Sequence, residues 1–257
     1  MALVLAESAA GGAAFLFLTP LWREVRPGFF YLTGAVVVAL AAGAAGAGAG
    51  GYDRSGAGAG RLAVTLAGSL AAATGCWMAL MLARLRGPAR VVGIATIPLA
   101  VAMLVAFARA TDESLGLSVF QLLAGAAFAG AVVDGLLLGH WYLTDRKLTR
   151  APINRMAWLL IGAVVLEAAA VIAGFGSGTG SAASSASSPF NPLLTVGSSA
   201  SWIAIGMVAC TGLIAAFIRL TLRGTRPTAV QSATGFFYLA VITAFTAEIA
   251  AKVRLLP

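Results

Sequence analysis

Apolar residues run along this chain in stretches of about twenty, separated by short polar or basic turns. A helix rising ~1.5 Å per residue needs about 20 such residues to cross the hydrocarbon layer of a bilayer. Eight stretches qualify, at about 2–21, 28–50, 62–84, 90–109, 117–142, 155–175, 198–221 and 229–251. The second ends in "AAGAAGAGAGG", whose small residues suit close packing against a neighbouring helix. Pro98 inside the fourth predicts a kink. The N-terminal stretch has no Lys or Arg ahead of it, so it reads as a retained span and not a cleaved signal.

The basic residues are unevenly placed. Of 17 Lys and Arg, 12 lie in the turns after the first, third, fifth and seventh stretches, and five on the other side. Loops rich in Lys and Arg stay in the cytoplasm. Both termini are therefore expected outside, in a bacterial-type inner membrane. The longest outer loop, 176–197, carries no charge and reads as a Gly/Ser tether with a Pro-bounded "PFNPLL" end.

An internal repeat divides the chain. "TGCWMALMLARLRG" at 74–87 matches "TGLIAAFIRLTLRG" at 211–224, and "LTGAVV" at 32–37 matches "LIGAVV" at 160–165. Trp22 and Trp141 close the first and fifth stretches. The fold class expected is all-α and integral to the membrane, with two parallel four-helix repeats, 1–110 and 111–257. In these registers Glu167 falls opposite Ala39, Glu248 opposite Ala110 and Asp134 opposite Phe15. The second repeat therefore holds acids that the first lacks.

Composition supports the membrane reading. The chain is 60% hydrophobic and 10% charged, well short of the roughly 25% charge of a soluble domain. Its net charge of +8 is scattered among the turns and forms no stripe for nucleic acid. Cys76 and Cys210 fall within spans and read as small core residues, not a disulfide. No phosphate-binding loop, catalytic-serine elbow or metal-ligand cluster is present. The loops are too short for a self-contained catalytic domain.

The chemistry then rests on ionisable residues inside the spans, which are expensive there and mark function by default. Asp134 and Glu167 are the candidates for proton transfer. Glu167 lies between "LLIGAVVL" and "AAAVIAGF", where a carboxyl without a partner favours its neutral form. Glu7 and Glu248 lie toward the outer face. Glu7 is close enough to the N-terminus to be wet, and Glu248 precedes Lys252 by four residues, as in an interfacial salt bridge. His140, Trp141 and Tyr142 at the inner rim are candidates for quinone binding, or simply belt residues at headgroup level. Asp134 and His140 lie about 120° apart around their helix, so they form no dyad. Gly135 and Gly139 form a GxxxG suited to close helix packing.

The first function expected is that of a multi-pass subunit of a larger, quinone-linked electron-transfer complex. Its partners would be lipid and other membrane or peripheral subunits, with quinone as the cofactor and no metal. A proton-coupled secondary transporter and a purely structural assembly subunit are the alternatives.

Overall fold

The computed structural model describes residues 1–52, 58–111, 113–145, 147–177, 199–224, 226 and 228–255. The outer loop lies almost wholly outside them. The described chain is helical: α1 Ala2–Leu18, α2 Pro27–Tyr52, α3 Gly58–Leu82, α4 Arg86–Arg109, α5 Leu115–Thr144, α6 Ala151–Ser177, α7 Ser199–Arg223 and α8 Ala229–Lys252. Seven of these are long and apolar enough to span a bilayer. In lipid every backbone polar group must be satisfied internally, and a continuous helix achieves this. The chain is a multi-pass helical membrane protein.

Helix α1 departs from the expected span. It has 17 residues and passes into a 3-10 turn, Thr19–Trp22. Thirteen of its residues are buried, so its surroundings are protein more than lipid. Helix α5 is its counterpart at the centre, with 72% of its apolar window buried against at most 44% in the other spans. The two run parallel and meet closely. A Cβ built on Gly11 falls 1.9 Å from the Ala126 carbonyl oxygen, and one on Gly130 falls 2.6 Å from the Gly11 Cα. Only glycine permits this approach.

Around this pair, α2 packs on α1, α3 on α2, α4 on α3 and back on α1. Likewise α6 packs on α5, α7 on α6, α8 on α7 and back on α5. The buried apolar side chains form two principal clusters that follow this division in the main, with Phe15 and Phe29 joining the second cluster and Leu122 and Ala126 the first. The cluster of α1–α4 is largely alanine, and that of α5–α8 is built on Phe128, Met156, Leu160 and Phe237. Outward-facing Val165, Ile172, Leu213, Leu220 and Ile242 present the apolar surface that lipid requires.

Helices α5 and α8 are antiparallel. Gly135 takes the ring of Phe237 and Gly139 takes Thr234, with built Cβ atoms 2.1 Å and 2.6 Å from those side chains. The GxxxG is a helix-packing groove, filled by the chain's own ring. The end of α2 packs through its small residues as expected, with Ala41, Ala44 and Gly48 buried while Gly46, Gly50 and Gly51 face away. One expectation needs correction. Cys76 is exposed on α3 and not a core residue.

The end that carries the basic turns is stitched together by ion pairs. Arg26 Nε lies 3.0 Å from Asp145 Oδ2, and Arg155 Nη1 lies 3.1 Å from Glu24 Oε1. Arg150 donates to the carbonyls of Gly224 and Arg226 at 2.6 and 2.7 Å. These contacts tie the turns after α1, α5 and α7 to one another.

Candidate functional site: a buried glutamate–lysine centre

Helix α8 places Glu248 and Lys252 one turn apart on one face. That face turns inward, toward α5 and α1. Lys252 Nζ lies 3.3 Å from Glu248 Oε2 and 3.0 Å from Glu7 Oε1 on α1. It donates a hydrogen bond, 3.1 Å long, to the backbone carbonyl of Gln121 on α5. The two carboxyl contacts are ion pairs, and the carboxyl oxygens of Glu7 and Glu248 have no hydrogen-bond partner among the described residues. Glu7 is 0% exposed, Glu248 1% and Lys252 4%. The expected Glu248–Lys252 salt bridge is present, and the expected wet Glu7 is corrected, since Glu7 is buried beside that pair. Both belong to one buried centre, because the ends of α1 and α8 close on each other.

The room for this centre comes from Gly125. A Cβ there would lie 2.6 Å from Glu7 Oε1 and 2.9 Å from Glu248 Oε2. Glycine one turn beyond Gln121 thus lets two carboxyls crowd the α5 backbone. Gln121 is 2% exposed, and its Oε1 has no hydrogen-bond partner among the described residues. Its Nε2 reaches the Ala170 carbonyl of α6 at 3.5 Å. Gln121, Glu167, Ala170, Val171, Ala251 and Lys252 line a small cavity. Glu167, 1% exposed, therefore enters the same centre from α6.

Among the described residues, three carboxyls approach one ammonium. Each uncompensated charge held away from water costs several kcal/mol, roughly.

Asp134 stands apart. It is 0% exposed, and neither carboxyl oxygen has a hydrogen-bond partner among the described residues. It lies nine residues, or ~13 Å along α5, from Gly125. The acids thus form one cluster and one separate residue. Asp134 and Glu167 are not brought together.

The three rim candidates diverge. His140 is exposed. The ring of Trp141 covers Gly28, whose built Cβ would fall 2.3 Å from it. The Tyr142 hydroxyl donates to the Thr149 carbonyl. Outside the spans, the Thr149 hydroxyl donates to Glu24 Oε2 at 2.7 Å. With the Arg155 guanidinium beside it, this bond holds the Glu24 carboxyl below the usual carboxylate range.

Reasoning from the sequence alone omits Lys252 and Gln121 as members of the site. The signals were present: a lysine one turn after an intramembrane glutamate, and a lone glutamine in an apolar helix four residues before a glycine. Compared with family models, curated proteins and solved structures, the chain matches none.

Proposed function

We propose that this chain transfers protons in the membrane, through the centre formed by Glu7, Glu167, Glu248 and Lys252. The observation that carries the reading is the convergence of three carboxyls, from three helices, on one buried ammonium. Ionisable residues inside a membrane protein are expensive, and several gathered at one place mark a functional site by default. Lys252 Nζ already holds the middle of the cluster, which disfavours a metal cation there.

The centre sits in a duplicated scaffold on this reading. The α1/α5 contact pairs Gly11 with Gly130, a shift of 119 residues that also relates Trp22 to Trp141. A helix and its repeat touch at equivalent positions only beside a two-fold axis. This supports two parallel four-helix repeats, 1–110 and 111–257. With the basic turns cytoplasmic, both termini face outside and the centre lies in the outer half of the membrane.

Duplicated halves around buried carboxyls suit a proton-coupled secondary transporter. A second reading, the membrane subunit of a quinone-linked complex, draws on His140, exposed on α5 at the basic end where a quinone dissolved in the bilayer could reach it. Infrared titration of the purified chain in lipid tests the shared core of both. Protonated carboxyl bands that exchange with heavy water and titrate are expected, each of E7Q, E167Q and E248Q removing part of the signal. A band that neither exchanges nor titrates would leave the acids as packing glue. Proton flux by the chain alone in liposomes favours the transporter. Co-purification with quinone and a redox partner favours the subunit.

A further inference from the structure

Asp134, Leu138 and Trp141 on α5 and Asp145 at its C-terminal cap are spaced by four, three and four residues. At 100° per residue they form one stripe within about 40° on either side. Contacts show where its two ends and its middle lie. Asp145 Oδ2 pairs with Arg26, just before α2, and the Trp141 ring lies on Gly28. A Cβ built on Gly12 of α1 would be 2.9 Å from Val37 Cγ2 of α2 and 4.0 Å from Asp134 Oδ2. The stripe thus runs along the seam between α5 and the α1/α2 pair. It leads from an ion pair whose Arg26 is 65% exposed to a carboxyl that is fully buried.

The seam collects polar atoms without partners. Both oxygens of Asp134, the Trp141 Nε1 and the Thr33 Oγ1 lack hydrogen bonds among the described residues. Thr33 is 1% exposed and lies one turn from Val37 on the same face of α2, toward the basic end. Each buried polar group left unsatisfied costs roughly 1–3 kcal/mol, and buried water is the usual remedy at such places. No ion pair of the described residues includes Asp134. Gly12, without a Cβ, lets Val37 of α2 approach α1 beside this carboxyl.

We infer that Asp134 is a second proton-binding site, reached by water from the basic-loop end along the α2/α5 seam. The Gly11–Gly130 contact lies between it and the glutamate–lysine centre. Asp134 takes a proton from water at one carboxyl oxygen and returns it to water. No other bond forms or breaks. The inference rests on the reading that this chain handles protons, and it adds an entry on the side opposite the centre.

Two measurements test it in a C76S/C210S background. A cysteine at Thr33 should react with a small membrane-impermeant thiol reagent added at the basic-loop face, while one at lipid-facing Val165 should not. The infrared spectrum should show a fast-exchanging carboxyl band that D134N abolishes and D134E restores at a shifted position. Inert T33C in a folded protein, or a D134N spectrum identical to that of the parent, would overturn the inference. If D134N leaves the spectrum unchanged while E7Q and E248Q alter it, this site falls and the proposed function stands. If only D134N alters it, the glutamate centre loses its role and Asp134 keeps its own.

Discussion

Replacing Gly11 by alanine tests the contact on which the centre depends. The added Cβ would lie 1.9 Å from the Ala126 carbonyl oxygen and 2.8 Å from the Gly130 Cα. Ordinary contact begins near 3.4 Å, so α1 must retreat by about 1.5 Å to a tolerable packing distance. Both obstructing atoms are backbone, and no rotamer change relieves them. Overpacking of this kind costs roughly 1–3 kcal/mol. Against it stands the helix preference for alanine over glycine, about 1 kcal/mol. A net change of about 0–2 kcal/mol of destabilisation is expected, about 1–3 kcal/mol below a glycine-to-alanine change in open space. Gly162→Ala is the matched control, because nothing lies within 4 Å of its built Cβ. There only the propensity gain operates, about 1 kcal/mol in the opposite direction. Unfolding by SDS titration in mixed micelles measures both. Retreat of α1 should also lengthen the 3.0 Å Glu7–Lys252 pair and shift the carboxyl bands of the centre. The reasoning fails if G11A rises in stability alongside G162A.

Lys252→Met should destabilise far more than a surface change, by about 3–5 kcal/mol, because it strands carboxyls in the interior. Adding E7Q and E248Q to K252M should restore much of the loss. A cost no larger than that of K147M, at an exposed position, would show that Lys252 does not compensate the acids. The Glu24 carboxyl is held below its usual value of 4.5 by Thr149 and Arg155. Its contribution to stability is therefore full above that value and lost as pH falls through the lowered one. The difference in thermal midpoint between the parent and E24Q should be constant at neutral pH and shrink below pH ~4. An unchanged difference in acid would exclude the ionised Glu24 as its source.

The sequence by itself determined the class of protein, the approximate spans and the polar inventory. Those follow from local composition, since lipid demands about twenty apolar residues per crossing and penalises each charge within one. Depth was legible for the same reason: Glu7, at the start of α1, and Glu248, near the end of α8, could be placed toward one face by counting residues. The GxxxG was legible as packing, though not its partner Phe237. What counting along a helix cannot supply is azimuth against a neighbour. Only the tertiary structure turned Glu248 and Lys252 toward α1 and α5 instead of toward the headgroups. It also used the missing Cβ of Gly125 to seat two carboxyls, and brought Glu167 to Lys252 while leaving Asp134 alone. Such juxtapositions depend on backbone approach between helices distant in sequence. In this chain that approach is set by glycines meeting backbone, as Gly11 meets Gly130, and no local pattern names the partner.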